Sequence, residues 1–138
     1  MTVSIIAIVA TVSGGIFKNM QTHSAMRAGG SEVYSALIDA RTKTLASQGG
    51  TVYGVHISTS TVTRFQGPVY TFGSTTNQIY SFESGVTATS SLITNGGNII
   101  FQRLTGESSA SGMLYIRDAE RTSTTTIVVS TSGLVEYR

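Results

Sequence analysis

The sequence predicts an α+β chain, one long N-terminal helix packed against an antiparallel β-sheet. Three observations carry this. Residues 3–17 contain no charge, residues 18–47 take up helical spacing, and after Gly50 the pattern changes to alternation without returning to a helix. Strands that follow one another without intervening helices pair antiparallel, because parallel neighbours need a long crossover.

The first element opens with MTVSIIAIVATVSGGIF. No basic residue precedes Val3 and no Ala-x-Ala site follows it, so the pattern of a secretory signal peptide is missing. The uncharged run Val3–Phe17 has 15 residues. As a helix it spans about 22 Å, short of a ~30 Å hydrocarbon core. It is apolar on every face, which does not suit a surface helix of a small soluble domain. Such a helix is satisfied either by lipid or by other apolar helices. Val3, Ile5, Ile6, Ile8, Val9, Val12, Ile16 and Phe17 are therefore expected to form a membrane anchor and then a helix-packing core. The small residues Ala7, Ala10, Ser13, Gly14 and Gly15 allow close helix approach. A plain anchor for a solitary surface domain remains the alternative.

From Lys18 the text becomes amphipathic. Val33, Tyr34, Leu37, Ile38 and Leu45 fall on i, i+3 and i+4 spacings, with Glu32, Asp39, Arg27, Arg41 and Lys43 on the other face. Val33, Leu37, Ile38 and Leu45 are expected to hold the helix to the sheet. Gln48-Gly49-Gly50 supplies the stop. Two glycine pairs, Gly14-Gly15 and Gly29-Gly30, interrupt the helix. Each glycine costs about 1 kcal/mol against alanine there, so both pairs are expected weak points. The Gly14-Gly15 pair is expected to stay helical in a lone subunit in lipid and to loosen in an assembly. The division implied is an apolar segment, 1–20, and a globular head, 21–138, whose helix ends near residue 48.

The strand runs follow in order: VYGVHIS, VTRFQ, PVYTFG, QIYSFE, VTATSS, NIIFQRL, GMLYIRD, TTTIVVST and LVEYR. In the first, Val52, Gly54 and His56 share one face, and Tyr53, Val55 and Ile57 the other. TNGGN, GESSASG and TSG punctuate the runs as turns.

Composition narrows the function classes. Charged residues are 12% of the chain, below the ~25% usual for soluble domains, because Ser, Thr and Gly take their place. A net charge of +2 gives no general footing for nucleic acid. The absence of cysteine excludes disulfides and Cys-based metal sites. His23 and His56 stand alone, without an HxxxH or a carboxylate cluster, so no metal or cofactor is expected. No GxSxG frames a serine nucleophile and no GK[ST] follows the TNGGNII glycines, so the chain does not read as an enzyme. Arg117, Arg121 and Arg138 are the available contacts for DNA, but GLVEYR sets Glu136 beside Arg138, where a basic stripe would be needed.

The order of these elements resembles the type IV pilin and pseudopilin superfamily, most closely the H-type pseudopilin and related minor-pilin branch. SALIDARTKTLASQGGTVYGVHIS, with Ala40-Arg41 before the turn, is similar to that branch's helix end and first strand. TTTIVVSTSGLVEYR resembles its closing hairpin, and VSIIAIVATVSGG the apolar core of its N-terminus. The resemblance implies a structural subunit of an extracellular, pilus-like filament with roles in adhesion or secretion. Such subunits are methylated at the mature N-terminus, held in the inner membrane before assembly, and extracted by pilus assembly machinery into a helical homo-oligomer. It also implies, as alternatives, a minor pilin or type II secretion pseudopilin that primes or tips a filament, or a DNA- or surface-binding tip subunit. One position departs from the family pattern: its members carry Glu as the fifth mature residue, whereas Ile5 stands here. Two readings follow from this: Met1-Thr2 is the mature start of a pilin that does without the Glu, or the Glu and a basic leader lie upstream of Met1; the second is the expectation, because about five more residues would bring the apolar span to the ~20 that a bilayer needs.

Overall fold

The structure is a computed structural model that describes residues 2–92, 95–120 and 123–138, with the side chains of the opening helix described from residue 23. It is α+β. Helix α1 (Thr2–Leu45) is followed by eight strands: β1 (Tyr53–Ile57), β2 (Thr61–Gln66), β3 (Gln78–Ser81), β4 (Val86–Leu92), β5 (Asn98–Ile100), β6 (Gly112–Asp118), β7 (Thr124–Val129) and β8 (Val135–Tyr137). Every strand pairing among the described residues is antiparallel, as expected. The strands make two four-stranded sheets, ordered β3-β2-β1-β5 and β4-β6-β7-β8, rather than the one sheet expected.

From residue 23 onward α1 is one-sided. Ala25, Met26, Val33, Ala36, Leu37, Ala40 and Thr44 are buried, a ladder of three- and four-residue steps. The expected packing set is corrected in half its members. Val33 and Leu37 are wholly buried, but Ile38 and Leu45 are 36% and 39% exposed. Each lies about 100° around the helix from a buried neighbour, Leu37 or Thr44, and so falls outside the stripe. Between Met26, Val33 and Leu37 the stripe is filled by small residues, which let the backbone lie close to both sheets.

The Gly29-Gly30 pair, expected as a weak point, belongs to this close approach. A Cβ on Gly29 would sit 3.3 Å from Val86 Cγ1, and one on Gly30 would sit 2.9 Å from the Tyr137 hydroxyl oxygen. The helix continues through the pair without a break. Its end also differs in detail from the sequence reading. Ser47 takes the left-handed position (φ 50°), and Gly49 and Gly50 follow at φ 64° and 67°. An αL residue at this place is the usual way to stop a helix.

The core lies between α1 and the inward faces of both sheets. Val55, Ile57, Val62 and Ile99 come from the first sheet; Ala88, Leu114, Ile116, Ile127 and Val129 come from the second. In β1 the core-facing set Tyr53, Val55 and Ile57 is buried as expected; on the other face His56 is partly exposed, but Gly54 is buried beneath Phe65, so burial does not alternate along the whole strand. Thr44 joins helix and sheet. Its buried hydroxyl donates to the Ala40 carbonyl oxygen at 2.8 Å and accepts from the Tyr53 N–H at 2.9 Å. Asp39 adds ion pairs to Arg64 on β2 and to Lys43 at 3.4 Å.

PVYTFG is not a strand. Residues 67–77 form an irregular loop with Gly67 and Gly73 at φ 109° and 75°. Tyr70 turns this loop back onto the outer face of the first sheet. Its ring stacks on His56 at 4.0 Å and meets Phe65 edge-on at 5.5 Å. Phe65 in turn lies over Gly54, where a Cβ would be 2.5 Å from Phe65 Cζ.

Candidate functional surfaces

The sequence-predicted residues fall into three places. The first is the segment carrying Val3, Ile5, Ile6, Ile8, Val9, Val12, Gly14, Gly15, Ile16 and Phe17. These residues belong to α1 and their backbone is helical. Their side chains lie outside the described set, so the packing role remains an expectation from sequence. Among the described residues no helix is long and apolar enough to cross a membrane.

The second place is the outer face of the β4-β6-β7-β8 sheet. Alternation along β6 turns Leu114 and Ile116 inward and leaves Met113, Tyr115 and Arg117 on the outer face. The Arg117 guanidinium stands over the Tyr115 ring, 5.0 Å from its centroid. Tyr115 is opposite Thr126 on β7. Thr126 exchanges backbone hydrogen bonds of 2.9 and 2.7 Å with Arg138, which extends the β8 edge. Arg117 and Arg138 therefore share a face, two strands and two residues apart, or about 12 Å between backbones. Arg138 is ion-paired to Glu136 at 3.0 Å. Arg121, the third expected contact, lies outside the described residues. Composition alone did not reveal Tyr115 as the partner of Arg117, although the period-two pattern of GMLYIRD carries that signal. Among the described residues the face thus offers one stacked Arg–Tyr pair and one arginine paired to a carboxylate, whereas multiple phosphate contacts use a cluster of cations.

The third place is the His56 corner. His23 is exposed on α1 and far in sequence from other ligand types. His56 donates from Nδ1 to the Asn98 side-chain oxygen at 2.8 Å, with Tyr70 covering its ring. An amide oxygen and a phenol ring make a packing site for imidazole and offer no second metal ligand. No group of three or more His, Cys, Asp or Glu side chains among the described residues could hold a metal ion. The buried polar side chains among the described residues all have hydrogen-bond partners, so no orphan donor or acceptor points to a missing ligand.

No protein-family model, no curated protein and no solved structure matches the chain.

Proposed function

We propose that the chain is a structural subunit of a pilus-like filament, assembled through its apolar N-terminal helix. The observation that carries the reading is the division of labour along α1. The inward faces of both sheets are covered by helix residues from Ala25 to Thr44. The uncharged run Val3–Phe17 precedes that stretch in the sequence, and the core formed by the described residues draws its helix side chains from Ala25 onward. A helix apolar on every face by its sequence gains free energy in lipid or against other copies, at about 25 cal/mol per Å² of apolar surface removed from water. In this reading Val3, Ile5, Ile6, Ile8, Val9, Val12, Ile16 and Phe17 anchor the subunit in the inner membrane and afterwards pack in the filament centre, with the heads facing outside the cell. Assembly machinery moves the subunit between the two environments.

The test is truncation. Residues 21–138 are expected to give a soluble, folded monomer by sedimentation and circular dichroism. The full chain is expected to fractionate with membranes and to assemble into fibres after extraction. A truncated chain that aggregates or lacks β-structure would overturn the division.

A second reading, a tip subunit that contacts polyanions, draws on the shared face of Arg117, Tyr115 and Arg138. It requires salt-dependent DNA binding that weakens in Arg117→Ala and Arg138→Ala. Binding unchanged in both variants would remove it.

A further inference from the structure

We propose that the free edge of strand β3 pairs antiparallel with β3 of a second copy of this chain, in the two-fold register that sets Tyr80 opposite Tyr80 and Ile79 opposite Ser81. The contact belongs to the head and does not rest on the filament reading.

β3 ends one side of the first sheet, and among the described residues it pairs only with β2. The ladder fixes which of its backbone groups are left over. The Phe82 N–H donates to the Ser60 carbonyl oxygen at 2.9 Å, one step beyond the Ser81–Thr61 pair. Antiparallel partners alternate between bonded and non-bonded pairs. Tyr80–Val62 and Gln78–Arg64 are therefore bonded pairs, and Ile79 and Ser81 turn their N–H and C=O away from β2. The Gly67 N–H, which donates to the Val52 carbonyl oxygen at 2.8 Å, sets the same alternation from the β1 side: Thr63 bonds to β1, Val62 and Arg64 to β3. Gln78, Ile79 and Ser81 are exposed. Sheet edges are ordinarily blunted by charge or proline, and Gln78–Ser81 contains neither.

Backbone donors and acceptors in strand spacing call for a strand. The other edges of the head do not offer the same opening. At β4 the Ala88 N–H is taken by the Thr59 carbonyl oxygen at 2.9 Å. At β5, Ile100 donates to Ser109 Oγ at 3.0 Å and accepts from the Ser109 N–H at 2.8 Å. At β8, Thr126 and Arg138 form a bonded pair, so Val135 and Tyr137 face outward. A two-fold pairing through those two residues puts Glu136 directly opposite Glu136, and like charges in that position repel. The corresponding pairing of β3 puts Tyr80 opposite Tyr80 and brings no charge across the edge.

The register is set by which groups are already engaged. With Tyr80 on the two-fold axis, Ile79 and Ser81 of each copy meet Ser81 and Ile79 of the other, and every outward N–H and C=O of both residues is bonded. Moving the axis to Ile79 would require the Asn77 N–H, which already donates to the Ser74 carbonyl oxygen at 3.1 Å. Moving it to Ser81 would require the Glu83 carbonyl oxygen, which already accepts from the Val86 N–H at 3.1 Å. On the outer face the pairing also covers Ile79, an apolar side chain 55% exposed in the single copy. The contact is isologous and closes on itself, so it pairs heads and does not by itself propagate a fibre.

Amide exchange of the full chain in detergent micelles, read by NMR over a range of chain concentrations, tests the pairing. The Ile79 and Ser81 amides are expected to slow by about tenfold or more as concentration rises, while Gln78 and Tyr80, bonded to β2, stay protected throughout. Ile79→Lys should return the Ser81 amide to fast exchange and leave Tyr80 protected, which shows the sheet intact. The chain contains no cysteine, so the register can be trapped by oxidising a mixture of copies carrying Ile79→Cys with copies carrying Ser81→Cys. Opposite residues of a bonded pair lie about 5.5 Å apart at Cα, within disulfide reach, so the mixed dimer should exceed either symmetric one. A Ser81 amide that exchanges fast at every concentration would overturn the pairing. So would protection that survives Ile79→Lys, or symmetric disulfides that match the mixed one, since either result assigns the association to another part of the chain.

Discussion

Replacing Thr44 with valine removes one oxygen atom from the junction between helix and sheet and leaves its shape nearly unchanged. Thr44 is wholly buried, so water cannot take the place of the lost oxygen. The Tyr53 N–H, which bonds to that oxygen at 2.9 Å, is left without an acceptor in a residue only 9% exposed. A stranded buried donor costs about 1–3 kcal/mol. That is a large part of the 5–15 kcal/mol typical of a whole domain. Thr44→Ser is the control: it keeps the oxygen and loses one methyl, worth about 0.8 kcal/mol. Urea unfolding of residues 21–138, followed by circular dichroism, reads both. Thr44→Val is expected to lower stability by about 1–3 kcal/mol, more than Thr44→Ser, with an unchanged dependence on urea. Equal stability of Thr44→Val and wild type, or greater damage from the serine variant, would refute the role given to this hydroxyl.

Leu37→Asp places a carboxylate at a position with no solvent exposure, between α1 and the sheets; the head is expected to lose its cooperative unfolding transition in calorimetry. Gly54→Ala sets a Cβ 2.5 Å from Phe65 Cζ and 2.8 Å from the Ile99 carbonyl oxygen. It should destabilise the head by about 1–3 kcal/mol in urea and release Tyr70 from His56, seen as a shift of the Tyr70 ring resonances. Asp39→Asn breaks the pairs to Arg64 and Lys43, but Asp39 is 43% exposed. Its effect on the urea midpoint should correspond to less than about 1 kcal/mol and shrink further in high salt.

Periodicity carried the fold class and most of the element positions. Val33 and Leu37 and the core-facing set Tyr53, Val55 and Ile57 can be read from spacing, because burial of one face imposes the period; TTTIVVST and LVEYR can be read as strand runs parted by a Gly turn, and their closing as a hairpin came from the family resemblance. Ile38 and Leu45 could not be separated from the buried stripe in this way. A one-dimensional pattern counts apolar residues, whereas the helix buries one sector, which here takes Met26, Val33 and Leu37 and is otherwise filled by alanines, glycines and a threonine. PVYTFG has strand composition but begins after Gly67 with the only proline in the chain. Its Tyr70 serves as a cover for His56, a long-range contact with no local signature. The split into two sheets depends on which strands pair across the chain, and adjacency in sequence does not encode it. On the surfaces, Arg117 and Arg138 were legible as charges, while their common face became visible only through the register linking Tyr115, Thr126 and Arg138. The left-handed backbone of Leu104 had no signal in sequence at all, since glycine or asparagine marks such positions when composition reveals them.

The measurement that bears most directly on the filament proposal is electron cryomicroscopy of the material formed by the full chain on extraction from membranes. The account predicts a helical fibre with residues 3–17 of successive copies packed along its axis and both sheets of each head outside. Within it, loosening of the backbone at Gly14-Gly15 would appear as lost i→i−4 hydrogen bonds between Val12 and Met20. A fibre whose axis is built from the heads, with residues 3–17 exposed at its surface, would contradict the account, as would a full-length chain that stays a dispersed monomer in lipid under every condition that preserves its fold.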